Sequence, residues 1–253
     1  MEKRNIIIDP LSVRSLLLVL TANGNKLSTA TGFVVQRNKK YYLVTNWHVL
    51  SGRNTETNEP MSSTAAIPDE IHIFHHAKDK LGFWLQTTEK LIDSHGNKIW
   101  KEHLTYEKID IAILELTHTN NIDFYPLDLE LADVDMIPQP AMPISILGFP
   151  FGLSSGGSNG LLPIWKTGHI ATDPDIDYDG KPAFLIDATT RGGMSGSPVV
   201  LRMSSGYTTK NGNMIMGSSM QTKFLGVYSG RIHGDSEIGR VWRPHLIDEI
   251  INS

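Results

Sequence analysis

What constrains this chain most is its rhythm: short apolar runs, each cut off by turn residues, follow one another almost to the end. Residues 13–22 stop at Asn23-Gly24, a pair suited to the positive backbone angles of a tight hairpin. Residues 31–37 and 41–45 flank the polar tip Asn38-Lys39-Lys40. Residues 70–75 alternate, with Ile71 and Ile73 set against His72 and Phe74, and 83–87 and 110–116 continue the series. After Pro126 the pattern resumes at 143–149, 164–171, 183–188, 197–202 and 223–229. Only the end reads as a helix. Pro244 suits a first helical position, and Leu246, Ile247, Ile250 and Ile251 share one face. Evenly spaced strands closed by a single terminal helix predict an all-β fold built from barrels.

Two barrels of roughly 115–125 residues each fit an ordinary domain size. The expected halves are 1–125 and 126–253, joined near residues 117–130. A chain of 253 residues can bury a core without staples, and it contains no cysteine. That excludes disulfides, thiolate catalysis and Cys-ligated zinc, and leans towards a reducing compartment. A net charge of −4 gives no electrostatic reason for a nucleic acid or an anionic membrane as partner. The run Ile6-Ile7-Ile8 is stopped by Asp9-Pro10, and Leu16 to Leu20 is likewise shorter than a signal core. No stretch nears the ~18 apolar residues of a membrane span. The expected location is the cytoplasm. Residues 52–68, 154–160 and 204–219 read as polar surface loops, the last with a hairpin tip at Asn211-Gly212. Loops bordering a substrate cleft would look the same.

The chemistry starts at Arg191-Gly192-Gly193-Met194-Ser195-Gly196-Ser197-Pro198, one serine among glycines just before an apolar strand. A nucleophilic serine needs a tight turn that exposes its oxygen and aims backbone N–H groups at a developing oxyanion. Such donors contribute about 3–4 kcal/mol each to the transition state. Taken alone, the segment fits a glycine-rich hairpin equally well. His48 follows the strongly apolar stretch Tyr41-Tyr42-Leu43-Val44-Thr45, at the end of the expected strand. A lone histidine there is more often structural. Asp110 opens the run Ile111-Ala112-Ile113-Leu114, and a carboxylate among aliphatics is costly to bury without a partner. The three residues follow the order His, Asp, Ser, one of three unrelated orders in which this catalytic geometry occurs. The combination is far more specific than any member.

On these segments the chain resembles the trypsin-like serine peptidases, most closely the bacterial branch of high-temperature-requirement proteases and glutamyl endopeptidases. The resemblance rests on Thr31-Gly32-Phe33-Val34-Val35, Val44-Thr45-Asn46-Trp47-His48-Val49, Asp110-Ile111-Ala112-Ile113-Leu114 and Gly193-Met194-Ser195-Gly196-Ser197-Pro198. Gly148-Phe149-Pro150-Phe151-Gly152, Gly226-Val227-Tyr228-Ser229-Gly230 and the terminal helix add to it. It implies two perpendicular six-stranded antiparallel β-barrels with His48, Asp110 and Ser195 as a triad at their junction. It also implies Gly193 and Ser195 as oxyanion-hole amides, and an endopeptidase acting without metal or cofactor on protein or peptide substrates.

Departures from the family pattern carry information. Digestive members are activated when a freed N-terminus pairs with an aspartate just before the serine. Met194 stands there, so activation of that type is not expected. No substrate-recruiting domain is expected after the helix, and restraint by a regulatory partner protein or a narrow substrate is expected. By resemblance, Thr189, Thr190 and Arg191 border the pocket for the residue before the scissile bond, and Tyr228, Ser229, Gly230 and Arg231 form the edge that pairs with substrate. No carboxylate sits where trypsins select Lys or Arg. Arg191 and Arg231 offer positive charge for an acidic residue. Tyr228, in place of the histidine of glutamyl endopeptidases, favours a small or apolar one.

Other signals weigh less. His72, His75, His76 and His103 match no zinc spacing and read as surface histidines. Asp173, Asp175, Asp177 and Asp179 lack the later glutamate of a calcium loop. An α/β-hydrolase reading through Ser195, Asp235 and His245 fails because Ser197-Pro198 opens a strand where the nucleophile elbow needs a glycine and a helix. The competing function is a trypsin-fold protein, non-catalytic or conditionally activated, that serves as a peptide-binding module.

Overall fold

A computed structural model describes residues 7–104, 108–156, 160–204, 206–217 and 219–253. Ile6 and the centre of the expected 154–160 loop lie outside the described residues. After a 3-10 turn at Pro10–Val13, the first half holds β1 (Ser15–Ala22), β2 (Asn25–Arg37), β3 (Lys40–Thr45), β4 (Glu70–Ala77), β5 (Trp84–Lys90), β6 (Lys101–Glu102), β7 (Ala112–Glu115) and β8 (Ile122–Asp123). The short helix α1 (Trp47–Ser51) follows β3. Both tight hairpins form where turn chemistry put them. Asn23 and Gly24 take φ of 49° and 75°, and Asn38 and Lys39 take 50° and 66°.

The second half holds β9 (Pro143–Gly148), β10 (Ile164–Ile170), β11 (Ala183–Asp187), β12 (Pro198–Met203), β13 (Tyr207–Thr208), β14 (Met214–Ile215), β15 (Gln221–Arg231) and β16 (Ile238–Trp242), then the helix α2 (His245–Asn252). Its strands close into a six-stranded barrel, β10-β11-β16-β15-β12-β9, with β13 and β14 as a separate hairpin. The first half departs from the expected six-stranded barrel. Its strands run β5-β4-β1-β2-β3-β7-β6 with β8 on β4, and the sheet does not close as a ladder. Beyond β5 the chain folds into a turn, bridged at Ile92 and Lys98 and by Ile99 N–H to Leu91 O at 3.1 Å. Asp93 and Asn97 hydrogen-bond within that turn, and only these short bridges join the end of β5 to the start of β6 among the described residues.

Three cores result. Leu18, Leu20, Ile71 and Ile73 fill the first sheet, and Ile144, Ile146, Phe184 and Val199 fill the barrel. The third joins Phe33, Val44 and Ile111 of the first half to Val200, Phe224 and Trp242 of the second. Leu246, Ile247 and Ile250 of α2 complete it, and Arg37 pairs with Asp248 at 2.7 Å. The helix therefore seals a seam to which both halves contribute. Ile250 is fully buried there, and Ile250→Ala is expected to cost about 2–5 kcal/mol of stability in chemical denaturation.

The histidines of β4 correct the sequence reading. His75 shares the inward phase of Ile71 and Ile73 and is buried rather than on the surface. His76, on the opposite face, is also buried, and its Nε2–H donates to Val13 O at 3.0 Å. His72 is half-buried and bonds Thr88, and His103 pairs with Glu249. Among the described residues no group of three or more such side chains is placed to hold a metal. Burial lowers the His75 imidazole to about 4 and lowers His76 as well. Burial thus favours the neutral form of both in the folded chain, while the unfolded chain gains protons below about 6.5. The His75 contribution is complete above that value and is lost as pH falls towards 4, and His76 acts in the same direction. For His75 the slope reaches at most about 1.4 kcal/mol per pH unit. Thermal melts should fall between pH 7 and pH 5, and His75→Leu should flatten that dependence.

Candidate active site

Register brings the first two site residues together. β3 and β7 pair antiparallel with Thr45 opposite Ala112, so the residues just after β3 face those just before β7. His48 lies in α1 rather than at the end of the strand, because the chain turns helical after Thr45. Asn46 precedes the helix without capping it. Its Nδ2 instead donates to Asp110 O at 2.7 Å. The Asp110 carboxylate, buried among aliphatics, then accepts twice from one residue. His48 N–H donates to Oδ1 at 2.9 Å, and Nδ1 lies 2.7 Å from Oδ2. An ionised carboxylate only accepts, so Nδ1 carries a proton, and in the neutral imidazole Nε2 is then the nitrogen with the lone pair.

Ser195 comes from the other half. Met194 N–H closes a turn onto Arg191 O at 3.2 Å, with Gly193 at φ of 93°. A Cβ there would lie 2.3 Å from Phe149 O, so only glycine fits. Met194 itself is buried in the barrel core, the apolar burial that its side chain dictates. Gly196 N–H donates to Tyr228 O, and Tyr228 N–H to Ser197 O, both at 2.9 Å. Phe151 N–H holds Gly192 O at 2.6 Å. In a trans peptide the N–H points opposite to the carbonyl, which turns Gly193 N–H away from Phe151. Among the described residues, neither Gly193 N–H nor Ser195 N–H donates to a protein acceptor.

His48 and Ser195 both line two adjoining clefts. One, of about 260 Å³, runs past Gly193, Thr29, Ala30, Val49 and Pro68. The other, of about 340 Å³, runs past Asp110, Glu56, Ser229, Gly230 and Arg231. Met61, from the expected surface loop at 52–68, borders both. Past Tyr228, β15 keeps β16 on one side and has no strand on the other among the described residues. Among the described residues, His48 and Ser195 share no hydrogen bond.

The remaining pocket candidates divide. Thr190 and Tyr228 are buried and hydrogen-bond each other through their hydroxyls. Burial pushes the Tyr228 phenol up to about 12, so it stays neutral. Thr189 is exposed. Arg191 is turned to Thr190 O at 2.7 Å and to Glu237 at 3.3 Å, which offsets the charge expected of it. Arg231 remains exposed on the wall of the larger cleft. Glu56 went unnoticed in the sequence. Burial alone would raise its carboxyl, but hydrogen bonds from Lys181 and Arg240 hold it below the ordinary range.

The sequence profile of the trypsin-like peptidase domain matches residues 30–205. The chain belongs to that family. No curated protein matches it in sequence. The Rv3671c protease from M. tuberculosis, in its active form, is similar in structure with a TM-score of 0.51 at 18% identity, over 95% of this chain and 80% of that one. The serine endoprotease from Yersinia pestis gives 0.51 at 13% identity, over 98% of this chain and 67% of that one. At these identities the likeness is one of fold. In this trypsin-like serine peptidase, a proton held between His48 and Asp110 should give a far-downfield proton resonance. That signal should vanish in Asp110→Ala while the methyl spectrum of the core is retained.

Proposed function

We propose that the chain is a serine endopeptidase that works through His48, Asp110 and Ser195 and an acyl-enzyme intermediate. The observation that carries this reading is the 2.7 Å contact of His48 Nδ1 with a buried Asp110, on an imidazole that shares its clefts with Ser195. With Nδ1 protonated, His48 Nε2 takes the Ser195 proton as the hydroxyl attacks a peptide carbonyl. It then delivers that proton to the leaving amine. Asp110 stabilises the imidazolium, and the amides of Gly193 and Ser195 receive the oxyanion. Water then repeats the sequence on the ester. No metal or cofactor enters these steps.

The free edge of β15 at residues 229–231 suits an added substrate strand, the acyl half of the peptide lying along it. Tyr228 and Thr190 satisfy each other's hydroxyls and present no charge, which favours a small or apolar residue before the scissile bond. A peptide library cut mainly after Glu or Asp would overturn that preference. The cysteine-free composition suits a reducing, cytoplasmic setting, with a partner protein to restrain the enzyme.

The second reading, a conditionally active or purely peptide-binding protein, is favoured by the absence, among the described residues, of a hydrogen bond between His48 and Ser195. Labelling by a fluorophosphonate probe separates the two. Active enzyme should label at Ser195 and lose the label in Ser195→Ala. Turnover should fall about 10⁶-fold in Ser195→Ala or His48→Ala, and about 10⁴-fold in Asp110→Asn. No labelling under any condition, with peptide binding retained, would favour the binding module.

A further inference from the structure

Thr31 is fully buried in β2, where the first sheet meets the loop that bears Ser195. Each of its polar atoms is engaged. Its N–H donates to Ser195 O at 2.9 Å, and its carbonyl accepts from Thr45 Oγ1 at 2.8 Å. Its hydroxyl donates to Gly193 O at 2.8 Å and accepts from Phe149 N–H at 3.0 Å. The hydroxyl has room only because residue 148 is glycine, since a Cβ there would lie 2.8 Å from Thr31 Oγ1.

The bond to Gly193 O matters for what lies on either side of it. The carbonyls of the serine loop are tied back in succession. Gly192 O is held by Phe151 N–H, Gly193 O by the Thr31 hydroxyl, Met194 O by Ser197 N–H and Ser195 O by Thr31 N–H. The Gly193–Met194 peptide sits between the N–H of Gly193 and the N–H of Ser195. The donors belong to the two flanking peptides, whose carbonyls Phe151 and Ser197 hold, and the Thr31 bond fixes the peptide that links them, so neither flank can turn by counter-rotating it. The segment is rich in glycine, so nothing in its own dihedral preferences would hold it. Phe151, which holds the preceding carbonyl, does so from φ of 54°, an uncommon conformation for a bulky residue.

The geometry points to Thr31 as a positioning residue that sets the oxyanion donors through its side-chain hydroxyl. This rests on the endopeptidase reading above. Thr31 touches no substrate and acts through the Gly193 carbonyl. Because β2 pairs with β3, which leads to His48, the same residue references the nucleophile loop to the sheet that carries the base. Valine has the shape of threonine without the hydroxyl, and would leave Gly193 O and Phe149 N–H buried and unpaired. Serine would keep both bonds.

The test compares Thr31→Val and Thr31→Ser in the full chain, by peptide turnover and by hydrogen exchange at the Phe149 amide. The expected result is a kcat about 10- to 100-fold lower in Thr31→Val with KM within about twofold, short of the loss of a whole donor. Thr31→Ser should restore kcat to near the wild-type value, and Phe149 N–H should exchange faster only in the valine variant. Wild-type kcat in Thr31→Val, a change in KM alone, or a serine variant as impaired as the valine one would overturn the assignment. Should Thr31→Val not fold, Thr31→Ala carries the same readings. If the wild-type chain itself shows no turnover, the endopeptidase reading fails on that ground. Unchanged Phe149 exchange in the variant would then separately reject the clamp, while faster exchange at Phe149, restored in Thr31→Ser, would support it.

Discussion

A buried carboxylate has few ways to exist, and the active-site side of this fold follows from how Asp110 meets that demand. Charge taken out of water needs hydrogen-bond donors close at hand. Asp110 finds both of its donors on His48, one on the backbone and one on the ring. That solution requires α1 to begin immediately after β3 and β7 to pair with β3 in one register. A slip of one residue would turn every side chain of β7 to the other face, and with it the aliphatic neighbours that fill the shared core. The same pairing selects the imidazole tautomer, so packing and proton chemistry are fixed by one contact.

The nucleophile loop obeys a different logic. It has almost no intrinsic stiffness, being built of glycine and serine, and its geometry is imposed from outside. Strand β2 grips it from the first sheet, the Phe149 to Gly152 segment from below, and Tyr228 from the barrel. Rigid sheets thereby direct a segment that could not direct itself. The core shared by the two halves, closed by α2, keeps these grips aligned, since movement of one sheet against the other would displace Thr31 and Tyr228 in opposite senses.

Most of the strands were legible because their apolar runs were bounded by turn residues with a mechanical reason to turn. His48 and Asp110 were legible as candidates because each was a chemically awkward residue beside an apolar run, and Ser195 because it stood among glycines. What the sequence concealed is of a different kind. β16 was invisible because Gly239 and Arg240 interrupt its apolar run, yet it is paired on both sides. The helical turn bearing His48 is only a few residues long, too short to show a period. His75 could have been placed inside by extending the alternation of Ile71 and Ile73 two residues further, but imidazole reads as polar. The open first sheet and the role of Thr31 depend on contacts between segments far apart in the chain, which no local pattern records.

Glu56 lies in a loop of the first half, while Lys181 and Arg240, its close ionic partners, belong to the second. Glu56 and Arg240 line the larger cleft, and Lys181 bonds the same carboxylate. The three groups are partly open to water, so mobile ions weaken their pairing far more than they weaken the buried contacts beneath. The two halves are therefore held by packing in their shared core and by charge beside the cleft, and salt weakens the second far more than the first.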